Sequence, residues 1–262
     1  CGRWLKKYCA SDPRLIGVAA TANTIREFDV GLDEFHNDST TVTFYGAYGG
    51  TPAAPAETSR YRPTITYGHN KDHRPDLKQL LYVLTLSHDG AVPVHFRICS
   101  GNVTDDQTHR DTWDVLRQVA GRPDFLYVAD CKLATLENMT YLHMHGGRFV
   151  TVLPRTRKED AAFRKQLANN QIHWQPLWDK VDDQGEVVDR YFVCDAPSLT
   201  AEGFRLIWYH SSRKAELDAA ARTGSIRRAC LELAELRRKL HGPRTRYRRQ
   251  DKVQDAVDQI LQ

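Results

Sequence analysis

No run in this 262-residue chain approaches the roughly 20 consecutive apolar residues that a membrane span needs. Residues 1–30 lack a continuous apolar segment, so they do not read as a secretory signal. The six cysteines, Cys1, Cys9, Cys99, Cys131, Cys194 and Cys230, form no Cys-x-x-Cys pair and no secreted-scaffold spacing. They read as free thiols in a reducing cytoplasm, with no membrane partner. Nothing matches Gly-x-x-x-x-Gly-Lys-Ser/Thr or Gly-x-Ser-x-Gly, which disfavours phosphate-loop nucleotide hydrolysis and serine-hydrolase chemistry. No internal repeat recurs at a period of roughly 20–50 residues, which excludes solenoids and propellers.

What is present is enough to fold. Apolar residues make up 41% of the chain, so a core forms rather than a disordered coil. The length suits one large domain or two moderate ones. Net charge is only +4, yet Arg227, Arg228, Arg237, Arg238, Lys239, Arg244, Arg246, Arg248 and Arg249 crowd the C-terminal part. Such a stripe is the footprint of a polyanion partner, or equally a solvated helix face.

Residues 38–46 are β-branched and aromatic and predict a strand that Asp38 leads into. Gly49, Gly50, Pro52, Pro55 and Pro63 predict a loop. Residues 80–86 and 92–98 are apolar runs joined at Asp89-Gly90, a hairpin signal. A helix is expected over 105–120, N-capped by Thr104, with Trp113, Leu116, Val119 and Ala120 on one face and Gly121 as its stop. Residues 125–129 predict a strand that ends at Asp130. A second helix is expected over 132–145, partly burying Leu133, Leu136, Met139, Tyr141 and Leu142, and then a strand over 148–153. The order β-β-β-α-β-α-β implies an α/β fold: a mixed sheet with helices on its faces.

Beyond Pro154 the pattern changes. A basic helix over 155–170 precedes strands around 174–181, 187–193 and 204–209, with a turn at Asp183–Gly185. A long helix over 213–240 follows, carrying Ile226, Cys230, Leu233, Leu236 and Leu240 as one apolar stripe. The expected organisation is a remnant of an N-terminal region over 1–30, the first part of a core over 31–160, and a β-rich insertion with basic helices over 161–262. The start at Cys1 and the end in an amphipathic stretch read as cut ends of a longer chain.

Asp38 and Asp130 are the leading candidates for chemistry. Two carboxylates at the edges of neighbouring strands make a hard, oxygen-rich site for a divalent cation such as Mg²⁺. A cap or strand-end role accounts for each aspartate equally well. His69/His73 and His143/His145 have ligand-like spacing but no third ligand, and they read as surface groups rather than a zinc site. Lys71, His73, Arg74 and Lys78 are candidate contacts to a phosphate backbone; a solvated loop explains the same composition.

Several segments together resemble the bacterial insertion-sequence transposases of the DDE type. They are Asn37-Asp-Ser-Thr-Thr-Val42, Tyr67-Gly-His-Asn-Lys-Asp-His-Arg-Pro-Asp-Leu-Lys-Gln79, Gly101-Asn-Val-Thr-Asp105 and Val128-Ala-Asp130. The resemblance spans roughly residues 25–262. It implies a ribonuclease H-like catalytic core interrupted by a β-rich insertion, with long C-terminal helices. It also implies Asp38 and Asp130 as the first two catalytic and metal-holding acids, Mg²⁺ or Mn²⁺ as cofactor, and DNA cleavage with strand transfer. The implied partners are double-stranded DNA, as transposon ends and target, and a second copy of the full-length protein. The family's third acid is a Glu in a Tyr…Arg…Glu…Lys signature. Here Tyr247 is followed three residues on by Gln250, not Arg, and Glu216, Glu232 and Glu235 fall in the insertion helices. The third acid is therefore expected beyond residue 262, and this chain is expected to be nearly inactive by itself. A DNA-binding remnant without catalysis and an unrelated ribonuclease H-like nuclease are the alternatives.

Overall fold

The computed structural model describes residues 13–48, 63–71, 74–169, 171–196, 199–242, 245 and 247–261. The chain divides into two compact units, Cys1–Phe163 and Arg164–Gln262. The Gly- and Pro-rich loop expected from Gly49 to Pro55 lies outside the described residues, as do Cys1, Cys9, His73, Arg244 and Arg246.

The first unit contains α1 (Pro13–Phe28), β1 (Glu34–Phe44), β2 (Lys78–Ser87), β3 (Pro93–Ser100), a 3-10 turn (Asp105–Gln107), α2 (His109–Ala120), β4 (Leu126–Ala129), α3 (Leu136–Met144) and β5 (Arg148–Thr151). The strands form one mixed sheet in the order β3-β2-β1-β4-β5. β2 pairs antiparallel with both β1 and β3, while β4 pairs parallel with both β1 and β5. The antiparallel pair β2–β3 closes through a tight turn, in which Ser87 Oγ donates to Asp89 O and accepts from Val92 N. The parallel strands are joined through α2 and α3, as helical crossovers require.

One face of the sheet carries the core. Phe35, Val94, Trp113, Leu116, Phe125, Tyr127, Leu133 and Leu142 are all buried in a single cluster. Phe35 and Phe125 meet edge-on at 4.9 Å. The alternation along β2 is strict: Gln79, Leu81, Val83, Thr85 and Ser87 point inward.

Two of the boundaries that differ from the sequence expectation do so for a polar reason. The first strand begins at Glu34, not Asp38, because its inward-facing positions are Phe35, Asn37 and Ser39. Two of these are polar and do not read as core. Thr85 Oγ1 donates to Asn37 Oδ1 at 2.9 Å and satisfies one of them across the strand pair. The second helix begins at Leu136, not at residue 132, because Thr135 caps it, accepting from Asn138 N at 3.2 Å. Residues 131–134 turn instead, tucking Leu133 into the core. On α2 the inward face is shared by His109 and Thr112 with Trp113 and Leu116, while Val119 is exposed, as is Leu136 on α3.

The second unit holds a three-stranded antiparallel sheet, β6 (Gln175–Val181), β7 (Val187–Asp195) and β8 (Ile207–Ser211), with β7 central. Helices α5 (Ser212–Leu240) and α6 (Gln250–Leu261) follow, and α4 (Lys158–Ala168) spans the division between the units. The start of α5 is built on Asp189 of β7. Burial alone would raise this carboxyl, but hydrogen bonds from Arg213 N, Ser211, Ser212 and Tyr191 outweigh it and hold it down at about 2. An anion at a helix N-terminus is also favoured by the helix dipole. Of the apolar stripe on α5, Ile226 and Cys230 are exposed, Leu233 and Leu240 are half-buried and Leu236 is buried. Cys99, Cys131, Cys194 and Cys230 are free thiols. Among the described residues, no helix is long and apolar enough to cross a membrane.

Candidate functional site

The sheet pairs the two segments that lead into the predicted aspartates. β1 and β4 run parallel in the register Glu34↔Leu126, Phe35↔Tyr127, His36↔Val128 and Asn37↔Ala129. The register ends there, and Asp38 and Asp130 are the residues that follow its last pair in the two chain segments. Neighbouring strands lie about 4.8 Å apart, and registered residues share a face. Phe35, Asn37 and Ser39 point into the core, so Asp38 points to the opposite face; Asp130 directly follows the last residue of β4, Ala129. Both aspartates are exposed. Asp38 lies inside its strand, paired with Leu84 of β2, rather than at the strand's leading edge as its sequence context suggested.

Each carboxylate has a local anchor. Asp38 Oδ1 accepts from Ser39 N at 2.7 Å. Asp130 Oδ1 accepts from Lys132 N at 2.9 Å, a turn that carries the chain off the end of β4. The Asp130 carbonyl accepts from Thr151 Oγ1 at the end of β5. Both side chains thus sit on a fixed backbone with oxygens left for a ligand. That donor set is purely carboxylate oxygen and suits a hard cation such as Mg²⁺ or Mn²⁺. Among the described residues, no third acidic or histidine group joins them in a metal-sized cluster.

A buried polar layer lies beneath. His109 Nδ1 is 3.1 Å from the Tyr127 hydroxyl, and both residues are buried. Burial holds the His109 imidazole below its ordinary 6.5, although Asp130, Asp105 and Asp106 pull the other way. Burial, and then Asp130, pushes the Tyr127 phenol up. The folded chain binds a proton at His109 less readily than the unfolded chain, whose imidazole titrates near the ordinary 6.5. Below that pH the unfolded state binds more protons, so stability falls as pH drops toward the lowered folded value. His95, also lowered by burial, adds to the same slope. The urea midpoint is expected to fall between about pH 7 and about pH 5, and to fall less steeply in His109→Phe than in the parent.

The predicted phosphate contacts are distributed unevenly. Lys71 Nζ donates to the carbonyl and hydroxyl oxygens of Ser39 and lies 3.1 Å from an Asp105 carboxylate oxygen. It therefore backs β1 directly behind Asp38. Arg74 is exposed, forked onto Asp76 and placed over the Tyr45 ring; the Asp76 hydrogen bond and charge raise its pKa further. Lys78 donates to the carbonyls of Ala47 and Tyr48 and lies over the Tyr67 ring. In the ladder Lys78 faces Phe44, six residues from Asp38, or about 20 Å along the strand. His73 lies outside the described residues.

One group of side chains escaped the reading of the sequence. Glu34, His36 and His88 meet on the open face, while neither His69 nor the His143/His145 pair joins such a group among the described residues. The sequence signal was the alternation Glu34-Phe35-His36 on a strand, with Ser87-His88 closing the next strand. It is visible only once the register is known. No protein-family model matches the chain, and no curated protein sequence matches it.

Proposed function

We propose that the first unit is the metal-dependent DNA-cutting core of a DDE-type transposase, with the second unit as part of its insertion. The observation that carries this reading is the parallel register of β1 with β4, whose last pair, Asn37↔Ala129, is followed directly by Asp38 and Asp130. The sheet order β3-β2-β1-β4-β5, with β2 antiparallel and β4 and β5 parallel to β1, supports the ribonuclease H-like assignment. Mg²⁺ or Mn²⁺ bound at such a pair supplies a Lewis acid and an activated water for phosphodiester chemistry. The chain's own contribution is positioning. Asn37–Thr85 and Lys71–Ser39 pin β1 on either side of Asp38, and the turn at Lys132 aims Asp130. Double-stranded DNA is the proposed substrate. Arg74 and Lys78 on the rim, and the exposed Arg227, Arg228 and Arg237 of α5, are the proposed phosphate-facing cations.

The absence of a third acid beside the pair, among the described residues, favours a second reading: a remnant that binds DNA without cutting it. Calorimetry with Mn²⁺ and gel-shift with duplex DNA separate the two. The catalytic reading expects Mn²⁺ binding that Asp130→Asn weakens by at least about tenfold, since a lone carboxylate is left to hold the ion. DNA binding indifferent to Mn²⁺ and to Asp130→Asn, with no Mn²⁺ bound at the pair, selects the remnant.

A further inference from the structure

The antiparallel ladder between β1 and β2 pairs Phe35 with Ser87, and His88 N donates to Glu34 O at 3.0 Å. Glu34 and His88 are therefore a directly opposed cross-strand pair. His36 is two residues along β1, on the same face as Glu34. Residues placed so bring their side chains together without any loop to order. The result is compact. His36 Nε2 lies 2.8 Å and His88 Nδ1 3.5 Å from the same oxygen, Glu34 Oε1. The two imidazoles stack with centroids 6.0 Å apart. One donor atom from each of the three residues lies within 4.8 Å of the others.

We propose that Glu34, His36 and His88 form a binding site for one borderline divalent transition-metal ion, best matched by Zn²⁺. Two imidazole nitrogens and one carboxylate oxygen are the donor set such ions prefer, whereas Mg²⁺ demands oxygen ligands and retains its water. Three protein ligands on an open face leave a coordination position to solvent, as in exchangeable rather than closed zinc sites. His36 and His88 are exposed, so binding buries no new charge. The ion ties the start of β1 to the end of β2, and His36 is two residues, about 7 Å along the strand, from Asp38. The site stands on its own geometry and does not require the DNA-cutting reading.

The test is Zn²⁺ titration of the chelator-stripped chain, by calorimetry and in competition with a chromophoric chelator, with Co²⁺ absorption as the spectroscopic readout. One ion per chain is expected, with a raised Tm on loading and a Co²⁺ spectrum free of thiolate charge transfer. His36→Ala and His88→Ala are each expected to weaken binding by about 100-fold or more, since loss of even an outer-shell partner costs 10- to 100-fold. Both side chains are exposed, so these variants are expected to keep the parental circular dichroism. Asp38→Asn with Asp130→Asn is expected to leave Zn²⁺ affinity unchanged, and excess Mg²⁺ is expected not to compete. The proposal is overturned by absence of Zn²⁺ binding, by binding indifferent to the two histidines, by a thiolate band, or by loss of Zn²⁺ in the aspartate double variant.

Discussion

Trp113→Ala is expected to destabilise the first unit by about 3–5 kcal/mol, roughly two to four orders of magnitude in its folding equilibrium. Trp113 is fully buried at the centre of the core cluster. Its ring lies 6.0 Å from Phe125 and meets Tyr141 edge-on at 6.2 Å. Gly147 packs so close that a Cβ there would sit 2.8 Å from the indole. The term for the cavity that alanine leaves adds to the lost transfer energy. Urea denaturation of the full chain is the measurement. Trp113→Phe is expected to lose much less, because the indole N–H it removes is buried with no hydrogen-bond partner. Equal losses for the two variants would mean that ring volume is not what Trp113 contributes.

Gly68→Ala is expected to cost about 3 kcal/mol or more, through overpacking and a broken buried hydrogen bond. A Cβ at this position would lie 1.8 Å from Gly101 O and 2.6 Å from Gln79 Nε2. Gln79 Nε2 donates to Gly101 O at 2.8 Å, and Thr66 and Gln79 exchange backbone hydrogen bonds. The substitution drives apart the segment 63–71 and the ends of β2 and β3. That segment carries Lys71 to Ser39, behind Asp38. The expected result is a lower urea midpoint together with faster amide exchange at Ser39 and its neighbours. Lys71→Ala, which cuts the same tether without the clash, is expected to loosen β1 at a smaller loss of overall stability. If Gly68→Ala were as stable as the parent, the close approach of the two glycines would be wrong.

The parts of the fold legible in the sequence are those where local chemistry and burial agree. Leu80–Leu86 is apolar on both faces, Asp89-Gly90 marks the hairpin, and Gly121, in a left-handed conformation at φ 69°, ends α2 where its φ requirement predicts. Where a buried position is polar, local reading fails. Asn37, Ser39, His109 and Thr112 all face inward, so the start of β1 and the inner face of α2 were set by partners far along the chain. The same is true of the cations: Lys71 is a basic residue in a charged loop by sequence, and a buttress for β1 by structure.

By itself the sequence determined the order of strands and helices from β1 to α5, though not the helix Pro13–Phe28, together with the change of character after Pro154 and the choice of two aspartates worth following, because apolar period, turn chemistry and strand-end carboxylates are local properties. Register was decided only by tertiary pairing. A shift of one residue in β1 would turn Asp38 into the core and Phe35 to solvent. It is the parallel match of β1 with β4, ending at Asn37↔Ala129, that pairs the segments leading into Asp38 and Asp130, and the antiparallel match with β2 that gathers Glu34, His36 and His88, residues whose spacing along the chain gives no hint that they meet.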